Sequence, residues 1–199
     1  MGLFSKKVDI IDIVASGNID LVKEALKNGA NINKMKRGWT PLLVAISSNN
    51  LQMARFLLSL GALTIYGVPL LLACANRNKE AVQLLLEYRT NPNQPDMKAW
   101  FPIIVAAQNG DNEIIELLLE KGAAVNVSNN EGWTPLHSAV HNNHYETVEL
   151  LLKNGADINV RNNTKETETT WKRSNPGPSP ASWSCCPMRR ARWTPSWTC

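Results

Sequence analysis

Disulfide chemistry has little to draw on in this chain. Of its four cysteines, Cys74 stands alone and Cys185, Cys186 and Cys199 fall near the end. That is no cross-linking framework, and it points to a reducing, intracellular setting, the cytoplasm first and the nucleus as the alternative. Long apolar runs are missing too. The opening Met-Gly-Leu-Phe-Ser-Lys-Lys passes directly into charge, so neither a secretory leader nor a membrane span is expected from it. Motifs for chemistry are also absent: there is no Gly-x-Ser-x-Gly elbow, no phosphate loop and no evident Cys–His pairing. Cys185-Cys186 lack zinc-ligand spacing. The expectation is a protein without catalysis, cofactor or metal.

Excess charge is lacking where it would count. The net charge is +4, but five of the 21 basic residues (Lys172, Arg173, Arg189, Arg190, Arg192) and one of the 17 acidic ones lie from Glu168 onward. The first 167 residues hold sixteen of each sign and are neutral on balance. A basic domain for nucleic acid is therefore not expected. Phenylalanine and tyrosine are scarce, three of each, beside seven tryptophans, so where the tryptophans fall is informative.

Repetition is what the chain does have. Gly38-Trp39-Thr40-Pro41-Leu42-Leu43-Val44-Ala45 aligns with Ala99-Trp100-Phe101-Pro102-Ile103-Ile104-Val105-Ala106 and with Gly132-Trp133-Thr134-Pro135-Leu136-His137-Ser138-Ala139. Gly67-Val68-Pro69-Leu70-Leu71-Leu72-Ala73 is a plainer copy. Pro69, Pro102 and Pro135 are 33 residues apart, and twenty residues after Pro41, Pro102 and Pro135 come Gly61, Gly122 and Gly155, each followed by alanine. Proline opens a helix where its missing N–H costs nothing, and Thr40 or Thr134 before it can cap the first turn. A second helix follows with apolar residues at helical spacing, as in Met53, Phe56 and Leu57 or Val148, Leu151 and Leu152. Glycine then ends it in the left-handed conformation.

This pattern resembles the ankyrin repeat over about residues 5 to 167, most fully in Thr134-Pro135-Leu136-His137-Ser138-Ala139. The resemblance implies an all-α solenoid of helix pairs with short β-hairpin fingers. The domain reading is an array over 1–167, with a cap at about 5–33 and repeats at about 34–65, 66–94, 95–127 and 128–160. Lys6, Lys7, Asp9 and Asp12 make the outer face of the cap polar, as an array needs to stay soluble. Pro41 to Pro69 spans only 28 residues, and the shortfall falls between Gly61 and Pro69. A notch in the row of fingers is expected there, and Arg89-Thr90 replaces Gly-Ala in the same repeat.

After Thr167 the repeat pattern stops. Residues 168–199 have no helical period and read as a disordered tail. Read one nucleotide earlier, Trp183-Ser184-Cys185-Cys186 can encode x-Glu-Leu-Leu, and Trp193 to Cys199 can encode Leu-Asp-Ala-Gln-Leu-Asp-Leu. An altered-frame product that has lost a further repeat is therefore one alternative reading. Its last repeat would expose apolar surface around Val148, Leu151 and Leu152, fray, and promote association. Another alternative is an adaptor tethered to membrane or RNA by Arg189, Arg190, Arg192 and Trp193. Gly2 offers a weak myristoylation signal, because Ser5 stands one place too early; a membrane partner is not expected.

The resemblance places Trp39, Trp100 and Trp133 where fingers turn toward the concave side, with Gly67 at the matching place in the third repeat. Tryptophan buries much area at small entropic cost, so the three suggest a strip that binds a protein partner, extended by Ser47, Asn76, Gln108 and His141 on the inner helices. Packing between fingers is the competing explanation. His137, His141 and His144 have the spacing of a helical metal site, but the resemblance accounts for His137 and His144 structurally, and a break at Asn142-Asn143 ends the helix before His144. The functional expectation is a non-catalytic adaptor or scaffold.

Overall fold

The computed structural model describes residues 9–64 and 67–163. Gly2, Lys6 and Lys7, and everything read into the tail, lie outside the described residues. Ten helices occur among the described residues, in five pairs: α1 (Ile10–Ala15) with α2 (Ile19–Lys27), α3 (Pro41–Ser47) with α4 (Leu51–Ser59), α5 (Val68–Ala75) with α6 (Lys79–Glu87), α7 (Pro102–Asn109) with α8 (Asn112–Glu120), and α9 (Pro135–His141) with α10 (Tyr145–Lys153). None exceeds nine residues, far below what holds an isolated helix together in water. Stability therefore comes from stacking. Inner helices α1, α3, α5, α7 and α9 pack on one another in sequence, and α4, α6, α8 and α10 form the outer layer.

Local chemistry sets the boundaries. Thr40 and Thr134 accept the backbone N–H of Leu43 and His137, capping α3 and α9. Asn18, Asn50 and Asn78 cap α2, α4 and α6 in the same way. Gly61, Gly122 and Gly155 end outer helices at φ of 84°, 83° and 86°. Arg89 adopts the same left-handed conformation at φ 58° without being glycine, a strained choice for a side chain with a Cβ. The apolar stripes merge into one core running from Ile10 to Leu151, with Leu42, Ile46, Leu57, Leu70, Ile103 and Leu118 almost fully enclosed.

The fingers are short hairpin turns without ladders: the described residues contain no strand, only an isolated bridge between Lys36 and Trp39. In the later fingers an aspartate or asparagine side chain takes the place of a backbone acceptor, so no ladder forms. The last repeat does not bare an apolar face either. Val148 and Leu151 are buried and Leu152 is half-buried, because the apolar stripe of α10 turns toward α9 and α8. No large hydrophobic side chain of α9 or α10 is exposed. Asp9 and Asp12, finally, are more than solvating charge. Lys34 reaches Asp9 at 2.9 Å and Lys36 reaches Asp12 at 3.2 Å, clasping the first helix to the first finger.

Candidate protein-binding strip

Each finger tryptophan is positioned by a tight turn. In the first finger Lys36 and Trp39 exchange both backbone hydrogen bonds at 3.0 Å around Arg37 and Gly38, whose φ values are 53° and 83°. Two central residues at positive φ make the two-residue hairpin whose twist suits paired strands. The third and fourth fingers turn over three residues. Asp96 Oδ1 accepts the N–H of Lys98 and of Trp100, both at 2.9 Å. Asn129 Oδ1 accepts those of Glu131 and Trp133, again at 2.9 Å. The loops close through Ala99 at φ 59° and Gly132 at φ 79°.

Asp96 and Asn129 anchor the turns that carry Trp100 and Trp133, and sequence reasoning missed them. The signal was present: an Asp or Asn stands four residues before Trp100 and Trp133, and Met35 stands there before Trp39, whose turn is the different one. A second missed constraint is Gly132 itself. A Cβ there would fall 2.9 Å from Asn162 Cα, because the chain after α10 crosses close by and Asn163 N–H donates to the Glu131 carbonyl at 3.0 Å.

The tryptophans differ in exposure. Trp39 is exposed to 43%, whereas Trp100 and Trp133 are half-buried. The Trp133 ring lies 6.0 Å from that of His137 and meets His141 edge-on at 5.1 Å. His137 is fixed by the Thr134 hydroxyl 2.8 Å from its Nδ1. Finger and inner helix thus share one surface at Trp133: the indole packs along α9 and ends beside the exposed His141. Packing and presentation occur in the same residue there.

Ser47, Gln108 and His141 are exposed and stand in the last turns of α3, α7 and α9, each six residues after the opening proline. Asn76 is out of register with them. It is the C-cap of α5, and Ala75, also exposed, is the matching position; one residue along a helix is about 100° of rotation. The strip also has a fixed gap. At Gly67, φ 66°, a Cβ would sit 2.2 Å from the Gln94 carbonyl oxygen, so no side chain fits where the other fingers carry tryptophan.

Other polar groups are committed to the fold. His144 Nε2 lies 3.0 Å from the Gln108 carbonyl oxygen. The Asp111 Oδ1 pairs with Arg77 at 2.6 Å, and its side chain makes no cap bond to α8. Cys74 is enclosed, and its thiol pKa is driven far above the ordinary range by burial first and the nearby Asp111 charge second; such a thiol is a poor nucleophile. Among the described residues, no group of three His, Cys, Asp or Glu is placed to hold a metal, and no helix is long and apolar enough to cross a membrane.

Comparison with known proteins agrees with this architecture. A family model for ankyrin repeats (3 copies) matches residues 70–162, and one for ankyrin repeats (many copies) matches residues 10–58. The chain is similar to ankyrin repeat, SAM and basic leucine zipper domain-containing protein 1 from several mammals. The Mus musculus protein is 39% identical over 90 residues, which is 40% of this chain and 19% of that protein. The Rhinolophus ferrumequinum protein is 37% identical over 92 residues, covering 41% and 19%. That of Notamacropus eugenii is 33% identical over 99 residues, covering 45% and 21%. The matched part is thus about a fifth of the length of these relatives.

Proposed function

The chain belongs to the ankyrin-repeat family, and from that premise we propose that it is a non-catalytic adaptor or scaffold that holds a protein partner along its concave strip. Ankyrin repeats in general bind proteins rather than transform substrates. The observation that carries the reading here is the Trp133–His141 contact at 5.1 Å. It supports one continuous surface in which finger aromatics and inner-helix ends act together. Trp39, Trp100 and Trp133 supply area, and Ser47, Ala75, Gln108 and His141 supply polar and small contacts that set register. Asn76 borders the strip and takes part only at its edge. An intracellular, cytoplasmic setting belongs to the same proposal, on the ground that the one described cysteine is a free, buried thiol.

Affinity capture from lysate, comparing the unaltered chain with a Trp39/Trp100/Trp133→Ala variant and with Trp39→Ala alone, tests the reading. Central aromatic anchors each contribute about 2 kcal/mol or more to binding. The triple variant should lose its specific partners while keeping its helical circular dichroism. Trp39→Ala leaves the packed Trp133 in place, so it should weaken binding without cost to folding. A partner set unchanged in a folded triple variant would assign the tryptophans to packing alone.

A further inference from the structure

Each inner helix leaves one stripe outside the core. Residues one, two, four and five places after the opening proline are buried in α3, α5, α7 and α9 alike. The residues at three and six places share the remaining face, because positions three apart on a helix lie one above the other. At the third place stand Val44, Leu72 and Val105, half-buried against the core, and then the buried Ser138. At the sixth stand the exposed Ser47, Ala75, Gln108 and His141. Because α3 packs on α5, α5 on α7 and α7 on α9, these stripes lie side by side and form one floor.

No aspartate, glutamate, lysine or arginine stands at any of these floor positions. The exposed faces of the outer helices are by contrast mostly charged, as at Glu80, Glu116 and Glu149 on α6, α8 and α10. Neutrality is therefore particular to the concave side. Charge returns at the finger tips, two residues before each tryptophan, where Arg37, Lys98 and Glu131 are exposed. Arg37 and Lys98 pair with no carboxylate among the described residues, whereas Lys34 and Lys36 are clasped to Asp9 and Asp12. The acid nearest Lys98 in sequence, Asp96, directs its Oδ1 at two amides of its own turn. The strip thus joins an uncharged floor to two uncompensated cations along its finger edge.

Granted the concave strip as a protein-binding surface, on which this rests, we propose that its partner is an apolar, acidic segment. Uncharged side chains lie on the floor around Val44, Leu72 and Val105, and carboxylates pair with Arg37 and Lys98. A charge of either sign set down on that floor would lose water and meet no opposite charge, which is unfavourable. Exposed charges at the rim act differently, steering and orienting a partner of opposite sign. Glu131 repels acid at the fourth tip, so the acidic part of the segment lies over the first to third fingers. Nucleic acid fits less well, because a single strand needs a basic groove along its phosphates and this floor holds no lysine or arginine.

The test is selection, on the full chain, of phage-displayed random peptides of about 12 residues, long enough at ~3.3 Å per residue to cross helices packed about 10 Å apart. Affinities of enriched peptides are then read by fluorescence anisotropy against variants with unchanged circular dichroism. Apolar, acidic peptides are expected, and Trp39/Trp100/Trp133→Ala should not hold them. Charge placed on the floor should weaken binding about tenfold or more whatever its sign, in Ala75→Lys/Gln108→Lys and in Ala75→Glu/Gln108→Glu alike. The neutral Ala75→Ser/Gln108→Asn should bind as the unaltered chain does. At the finger tips sign should decide: Arg37→Glu/Lys98→Glu should lose about tenfold or more, and Arg37→Lys/Lys98→Arg should keep its affinity. Strip-dependent peptides that are basic, or that tolerate charge on the floor, would overturn the proposed chemistry while leaving the strip a binding site. Peptides indifferent to the tryptophan variant, or failure to enrich any, would overturn the strip itself and this proposal with it. Single-stranded oligouridine that binds the chain and is lost from the tryptophan variant would assign the strip to nucleic acid and overturn both.

Discussion

Arg89 and Thr90 show how two residues can hold a repeat's shape against local preference. Arg89 takes a left-handed φ of 58° where Gly61, Gly122 and Gly155 stand in other repeats. A Cβ in that region costs about 1–2 kcal/mol, partly offset by the greater chain entropy that glycine loses on folding. Thr90 occupies the place of Ala30, Ala62, Ala123 and Ala156, buried, with its hydroxyl lacking a partner. An unsatisfied buried hydroxyl costs about 1–3 kcal/mol. Arg89→Gly should therefore stabilise the chain by about 0.5–1 kcal/mol, and Thr90→Val, which keeps the shape and removes the orphan group, by about 1 kcal/mol. Urea midpoints measure both. A lower midpoint for Arg89→Gly would mean that its side chain makes a compensating contact large enough to outweigh the strain. The departure from Gly-Ala was readable in the sequence, but whether Arg89 bends the repeat or bears the strain was not, because that depends on the packing around it.

Helices were the legible elements and fingers the illegible ones. Threonine, proline and glycine mark helix ends by intrinsic stereochemistry, so Thr40-Pro41 and Gly61 bracket their helix pair without help from tertiary contacts. A finger is set by which side chain closes its turn, and the same Asp or Asn serves equally as solvating residue, cap or turn anchor. Asn129 therefore gave no sign of its role until its Oδ1 was seen accepting two amides. Asn129→Ala should release the fourth finger alone: exchange at the amides of Glu131 and Trp133 should speed by about tenfold or more, with α9 and α10 unchanged. Equal protection in the variant would show that packing of Trp133 on α9 suffices. The clasp between α1 and the first finger responds to acid instead. A hydrogen bond from Lys34 holds the Asp9 pKa below its ordinary 3.8, with the Lys34 and Lys36 charges adding to it. A depressed carboxyl stabilises fully above its unfolded pKa and loses that contribution as pH falls through the folded one. Protection of α1 amides, corrected for intrinsic rates, should fall relative to α7 as the pH drops below 3.8, and high salt should reproduce part of the effect at neutral pH. An α1 that tracks α7 throughout would leave the clasp without energetic weight.

At the scale of the whole molecule the joints between pairs are unequal. Asn33 Oδ1 holds the Leu63 amide, Asn93 the Ala124 amide and Asn126 the Asp157 amide, a rung for each of three joints. At the joint between the second and third pairs the corresponding residue is Ile65, whose side chain has no amide to offer. That joint does have the Asn78–Asn49 contact and the exposed Arg55–Glu87 pair, and exposed pairs contribute little. The next joint adds Arg77–Asp111, Lys79–Glu113 and the bond from Asn109 Nδ2 to the Cys74 carbonyl at 3.1 Å. In an array whose stability is a sum over nearest-neighbour interfaces, opening concentrates at the weakest one. The expectation is that residues 9–64 lose protection at lower urea than residues 102–163. Cys74 reports the stronger joint independently, since Asp111 across that interface helps raise its thiol pKa. With Cys185, Cys186 and Cys199 changed to serine, a thiol reagent should find Cys74 unreactive at urea concentrations where the amides of α1 to α4 already exchange. Reaction of Cys74 in step with those amides would mean that the array opens as a single cooperative unit, and that the helix contacts at the rungless joint match the rungs and ion pairs of its neighbour.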